Sequence, residues 1–382
     1  MTFYYITNSK LPTEKAFGYG ISKMCEAFGG LNADVVLVVP KRHGVMPETL
    51  FKYYGVKKQF TIKTLWSLDL FRYERFIGKL AYAIQAMTFF FLLLWLPVKR
   101  DDILYSRDLF ILPWLRLRSK RVFLEIHFLQ ATQKRLRGLF RFAGKIITTT
   151  AHLKDEIAAF GIPPERILVA HDAVDLPLFG ITLAKTEARA RLELPQDKII
   201  LGYTGNFKAM GMDKGIANML YALPKLRQRF PNILFIAVGG VEPDISEYER
   251  MAQDCGVADI VRLLPRVKVT DLPVYQQACD ILTMTPPRNE YFSYHVSPLK
   301  MFEYMAGNRP IVAADLPGIR EVLNERNAVL VDADDTQKLA SVIDALLRDG
   351  KRCQEIAAQA RADVEKFTWE KRAEGILRNL SL

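Results

Sequence analysis

The stretch 297–323, SPLKMFEYMAGNRPIVAADLPGIREVL, constrains the fold more than any other part of the chain. Ser297 suits a helix N-cap and Pro298 the first helical position. Residues 299–306, beginning with Leu299, read as a short helix that Gly307-Asn308 closes. Arg309-Pro310 leads into a wholly apolar strand at 311–314, then a turn at 315–318 and a second helix from Ile319. A strand without a polar residue, set between two helices, belongs in a sheet covered on both faces.

Such a layout presents a helix N-terminus, whose free N–H groups and positive dipole end favour an anion. Lys300 lies in the first turn and adds a full charge, and Glu303 follows on the same face. A carboxylate cannot hold a phosphate, but it accepts hydrogen bonds from two sugar hydroxyls. Phosphate at the helix start and ribose one turn on is the geometry a nucleotide diphosphate needs. The same residues also describe an ordinary capped surface helix with Lys300 and Glu303 as a solvated pair. Taken alone they leave both readings open.

The rest of the chain repeats the strand–helix grammar. Strands are expected at 2–7, 34–40, 59–63, 103–106, 121–126, 145–149 and 166–170, then at 199–203, 232–238, 260–264, 281–285 and 330–332. Residues 208–214 and 288–295 read as loops, and 68–98 as a long apolar helical region. The 382 residues, half of them hydrophobic, suffice for two cores. A polar segment places the boundary near 180–195, giving α/β domains at 1–180 and 195–367. Asp332, Asp334 and Asp335 read as caps for a helix from Thr336 rather than as metal ligands.

Cys25, Cys255, Cys279 and Cys353 form no CxxC and pair with no histidine at metal-ligand spacing. The first ten residues lack a basic segment followed by an apolar run and a cleavage site, so a cytoplasmic location is expected. The net charge of +11 calls for an acidic partner. RNA-module aromatics, zinc-finger spacing and a basic tail are absent from the sequence, which argues against nucleic acid. Residues 80–98, LAYAIQAMTFFFLLLWLPV, carry no charge and are long enough to span a bilayer. Gln85, Thr88 and Pro97, and the strand just beyond, favour instead a helix buried in the fold or lying on a membrane. The basic region 116–141 fits a peripheral membrane patch beside that helix, with a solvated face as the plain alternative.

Several of these motifs resemble glycosyltransferase family 4, retaining enzymes with the GT-B fold. Residues 297–323 resemble that family's donor-binding segment, where two glutamates stand as E-x7-E; Glu303 matches the second, and His295 replaces the first. EIH, ending at His127, resembles the E-x-H motif whose histidine borders the transferred sugar. KLPTEKAFGYG resembles the glycine-bearing first loop through Gly18 and Gly20. The family's GR…KG grip on the pyrophosphate is matched by Gly205 and Lys214-Gly215, while Asn206 replaces the arginine and Lys208 is a candidate stand-in. PRVKVTDLPVYQQACD resembles the stretch that lines the base, and FTWEKRAEGIL the last helix.

The resemblance implies two Rossmann-like domains facing across a cleft, with a final helix, 368–382, returning to the first domain. It implies a UDP- or GDP-linked sugar donor in the second domain and a glycan or lipid-linked acceptor in the first. Transfer to a hydroxyl would proceed with retention and without a metal, in bacterial surface polysaccharide or glycolipid assembly at the inner face of the cytoplasmic membrane. His127, Lys214 and Lys300 would be catalytic. Gly18, Gly20, Gly205, Asn206, Lys208, His295, Ser297, Pro298, Leu299 and Glu303 would hold the donor. Asn206 and His295 keep open a non-catalytic scaffold subunit on the same fold. An epimerase on this fold would need a pair of acid/base carboxylates, and the sequence offers no convincing pair.

Overall fold

The computed structural model describes residues 1–44, 46–70 and 74–380. It divides into two units, Met1–His171 with the described part of Trp369–Leu382, and Asp172–Thr368. These boundaries fall earlier than the expected 180–195, because Asp172 is already tied into the second unit: its N–H donates to the Ser297 hydroxyl.

The first unit holds one parallel sheet. Its strands are β1 (Thr2–Ile6), β2 (Asp34–Pro40), β3 (Thr61–Leu65), β4 (Ile103–Ser106), β5 (Val122–Ile126), β6 (Lys145–Thr148) and β7 (Ile167–Val169). They lie in the order β3-β2-β1-β4-β5-β6-β7. TFYYI and DVVLVVP are near-continuous apolar runs, as strands covered on both faces must be. The helix Ala16–Gly30 follows β1. The helix Trp369–Leu380 packs on it, with Tyr19 and the fully buried Trp369 in edge contact. Gly18 and Gly20 are therefore inside a helix and not in a ligand loop. A side chain on Gly18 would collide with the Tyr54 hydroxyl, and Gly20 faces Trp369 and Arg107. Their missing side chains make room for packing.

Of the apolar region 68–98, residues 71–73 lie outside the described residues, as do residues 381–382 of the last helix. The helix there is Lys79–Leu93. Among the described residues no helix is long and apolar enough to cross a membrane.

The second unit contains β8 (Ile199–Thr204), a small hairpin of β9 (Lys208–Ala209) and β10 (Met212–Asp213), and then β11 (Ile233–Gly240), β12 (Val261–Pro265), β13 (Ile281–Met284), β14 (Ile311–Ala314) and β15 (Val329–Val331). The parallel sheet runs β12-β11-β8-β13-β14-β15. The segment 208–214, expected as a loop, is this hairpin; Met210 and Gly211 take positive φ at its turn. The segment 288–295 holds a π-helical turn, Tyr291–His295. Strand order reverses between β8 and β13, and the crevice outside the carboxyl ends of strands at such a reversal is where open α/β sheets bind ligands.

The helix Leu299–Ala306 is buried from Lys300 onward, so the surface-helix reading is excluded. Pro298 is its N-cap, one place later than expected, because the Ser297 hydroxyl serves Asp172 instead of the helix. The second helix is Pro317–Arg320, starting at the proline. Asp335 caps the helix Thr336–Arg348, as expected, by accepting from the Lys338 N–H.

Candidate functional site

Gly205 follows β8 at the reversal point, with φ of +119°. Its N–H donates to Val238, and the preceding Thr204 N–H donates to the Tyr304 hydroxyl at 2.7 Å. The turn is thereby fixed to the helix Leu299–Ala306. A side chain on Gly205 would stand 3.3 Å from the Lys300 ammonium. Glycine is required both for the backbone angle and for this approach.

Lys300 is buried, and its Nζ has no hydrogen-bond partner among the described residues. It sits 3.4 Å from the centre of the Tyr203 ring, a cation–π contact that only partly replaces water. Burial, and then the neighbouring Lys214, hold Lys300 well below the ordinary lysine range. Lys214 is half-buried, and its loss of water brings it down to about 8 against the pull of Glu303. Glu303 is buried, and this raises its carboxyl to about 7, although Lys300, a hydrogen bond with Gln276 and Lys214 all act to lower it. Both lysines line one small pocket whose other walls include Met284, Phe292, Val296 and Ile319. The first N–H groups of the helix at Leu299 and Lys300 lie outside its i→i−4 ladder. Two dehydrated lysines, a helix start and a carboxyl thus stand together here.

Lys214 comes just before the helix Ile216–Arg229, whose first N–H groups, at Gly215 and Ala217, are taken by Asp213. Gly215, at φ +105°, lets this helix approach the Thr285 backbone. Asn218 then donates to the carbonyls of Thr285 and Ala333. A groove of about 590 Å³ bordered by Lys185, Asp280, Arg309 and Cys353 is larger, but none of the expected site residues lines it.

The remaining expected residues divide. Pro298, Leu299 and Ser297 form the helix entrance, and His295 is buried in the π-helical turn before it. Lys208 does not join the two lysines as a stand-in for the missing arginine. Its ammonium pairs with Glu247 at 2.5 Å and Asp244 at 3.6 Å, over the Tyr248 ring. Asn206 accepts a hydrogen bond from the Arg266 Nε at 3.1 Å. Arg266 thus brings a guanidinium to the turn where Asn206 stands. Sequence reasoning missed it; PRVKV was visible only as a stretch near the base.

His127 belongs to the first unit, just beyond β5. Its Nε2 lies 2.5 Å from Glu125 Oε1, which sets that nitrogen as the donor if the carboxyl is ionised. Glu125 is completely buried and also accepts from Arg107, Arg372 and the Tyr105 hydroxyl. Burial works against its ionisation, but Arg107, Arg372 and His127 together hold it well below the usual carboxylate range. Arg372 comes from the helix Trp369–Leu380 and was not foreseen.

The family model for glycosyl transferases group 1 matches residues 184–363, which include Gly205, Lys214, Lys300 and Glu303. Through those residues the second unit is similar to the glycosyl transferases group 1. The chain is 32% identical over 238 residues to a D-inositol 3-phosphate glycosyltransferase of Xylanimonas cellulosilytica, covering 61% of the chain and 55% of the relative. It is 31% identical over 245 residues to D-inositol 3-phosphate glycosyltransferase 1 of Catenulispora acidiphila, covering 62% and 56%. The chain thus spans about half the length of the curated relatives it matches. The crystal structure of Anabaena Alr3699/HepE in complex with UDP and glucose superposes with a TM-score of 0.74 over the whole of both chains, at 18% identity. Sucrose-phosphate synthase from Thermosynechococcus elongatus gives 0.75 at 18% identity, over 99% of this chain and 97% of that one. The chain has the GT-B fold of such neighbours.

Proposed function

We propose that this chain transfers a sugar from a nucleotide-diphosphate sugar to a hydroxyl acceptor. The observation that carries the reading is Lys300, a buried ammonium without a hydrogen-bond partner among the described residues, beside Lys214 at a helix start. A buried cation is costly unless an anion meets it. A diphosphate meets both lysines and the helix N–H groups. Glu303, one turn on, accepts the ribose hydroxyls.

In the reaction, the bond between the anomeric carbon and the diphosphate oxygen breaks, and the acceptor oxygen bonds to that carbon. Negative charge grows on the leaving diphosphate, where Lys214, Lys300 and the helix start stabilise it in a dry pocket. The acceptor's proton passes to the departing phosphate oxygen on the same face, which gives retention without a protein nucleophile. The lysines supply the positive charge, so the step asks for no metal. His127, held by Glu125, is the group of the first unit that we assign to sugar orientation. The neighbour's complexes with UDP favour a uridine nucleotide. The acceptor class we favour is a glycan or lipid-linked hydroxyl, and the setting bacterial surface polysaccharide or glycolipid assembly at the inner face of the cytoplasmic membrane. A non-catalytic subunit remains the second reading because of Asn206 and His295, and the Arg266 guanidinium beside Asn206 weakens it.

The test is a thermal-shift screen against UDP, GDP and ADP and their sugar conjugates, followed by release of nucleoside diphosphate in the presence of acceptor sugars. A selective rise with one nucleotide is expected, and its loss in Lys300→Met. A folded protein that responds to none of them refutes the reading.

A further inference from the structure

The helix Lys79–Leu93 is apolar on two opposite faces. One face, with Ala81, Ala86, Phe89, Phe90 and Leu93, is buried in the core of the first unit. Gln85 on that side donates from its Nε2 to Asn8 Oδ1 at 2.9 Å. The opposite side carries Leu80, Ile84, Met87 and Phe91 and continues into Trp95, a spacing of three to four that makes one stripe. Leu80, Met87, Phe91 and Trp95 are each more than half exposed with the whole chain present. Phe91 and Trp95 stack edge-on at 4.5 Å. Leu68 joins the helix through a hydrogen bond from its N–H to the Thr88 hydroxyl, and Trp66 beside it is also more than half exposed. A stripe of large apolar side chains on a solvent-exposed face marks a binding site.

Charge identifies the occupant. Lys99 and Arg100 follow directly, and Arg118 donates to the Leu96 carbonyl at 3.0 Å, which seats the turn Arg116-Leu117-Arg118 against the end of the stripe. Leu117 in that turn is three-quarters exposed. Between residues 95 and 121 five cations are exposed, Lys99, Arg100, Arg116, Arg118 and Lys120, against one exposed carboxylate, Asp101. Aromatic and aliphatic side chains bordered by cations match the acyl boundary and phosphates of an anionic bilayer. A second copy of this chain would bring the same positive excess to the same face.

We propose that this stripe seats the first unit on an anionic lipid surface, with the helix Lys79–Leu93 lying in the plane of the interface. Leu80, Met87, Phe91 and Trp95 enter the acyl boundary, and the five cations meet lipid phosphates. The inference is independent of the transferase reading, since it requires neither donor nor turnover.

The test is co-sedimentation of the full chain with vesicles of equal parts phosphatidylcholine and phosphatidylglycerol, and with phosphatidylcholine alone. Selective, salt-sensitive binding to the anionic vesicles is expected. Phe91→Ser with Met87→Ser, two exposed positions, weakens binding by about tenfold or more. Lys99→Glu with Arg100→Glu weakens it at least as much, roughly fivefold per cation removed. Circular dichroism and thermal midpoints confirm that the variants are folded. Absence of binding to anionic vesicles, or equal binding by folded wild type and Phe91→Ser/Met87→Ser, overturns the proposal. So does a dimer in sedimentation equilibrium that dissociates in that variant without any loss of a vesicle-bound fraction.

Discussion

The Glu303 carboxyl is the group whose removal tests the site most directly. In the folded chain without donor its pKa rises from the ordinary 4.5 to about 7 through burial. A folded-state value above the unfolded one means that the native chain holds its proton longer. Stability is then full below about pH 4.5 and declines until about pH 7, where the folded group also ionises. Two and a half pH units at about 1.4 kcal/mol each set a ceiling of about 3 kcal/mol. Glu303→Gln resembles the neutral acid in shape, so it leaves the low-pH fold alone and removes the loss at high pH. Urea denaturation of both proteins without nucleotide should show Gln more stable by under about 1 kcal/mol near pH 5 and by about 3 kcal/mol near pH 8. Donor binding by the variant should be weakened, because the amide is a poorer acceptor for ribose hydroxyls. A gain that is the same at both pH values, or a destabilised variant at pH 8, refutes the argument that Glu303 is buried against its ionisation.

Other outcomes follow from the same geometry. Lys300→Met should weaken donor binding by at least tenfold, seen by calorimetry, while thermal denaturation shows the fold equally stable or more so, since a lone buried charge is removed. Donor affinity should decline as pH rises past about 8, where unliganded Lys214 loses its proton, by up to about tenfold per pH unit; a flat isothermal-titration profile from pH 7 to 10 contradicts this. Gly205→Ala should lower stability by at least about 1 kcal/mol from its positive φ and displace Lys300, which a fall in donor affinity beyond the stability change would report. Arg372→Ala should cost about 3 kcal/mol in urea denaturation, because Glu125 keeps its burial and loses one of its cations.

What was legible in the sequence was local. The strand of IVAA and the Gly307-Asn308 stop were visible because apolar runs and backbone punctuation act over a few residues. Lys214, Lys300 and Glu303 could be picked out because each sits at a fixed step from a glycine or a helix start. The missed features all depend on partners far along the chain. Gly18 and Gly20 resembled a ligand loop, yet Tyr54 and Trp369 decide what their space is for. Lys208 looked available until Glu247 and Asp244 came to it from the helix Asp244–Asp254. Arg372 reaches Glu125 from 247 positions away, with no periodicity to announce it. The uncharged run at 80–98 could not show where its helix stops, since Leu94 to Pro97 are as apolar as the turns before them.

The division of the first unit between Met1–His171 and the helix Trp369–Leu380 has a consequence for how the protein is made. Synthesis runs from one end, so about two hundred residues of the second unit leave the ribosome before Trp369 and Arg372 exist. At typical rates that interval is on the order of 10–40 s. During it the nascent first unit presents an unfilled slot beside Tyr19 and a buried carboxylate short of one counter-ion. A ribosome that stalls within the second unit releases a chain still bearing that greasy, unbalanced surface, which chaperones and proteases can sense. The last helix, once made, fills the slot beside Tyr19 and gives Glu125 its remaining cation.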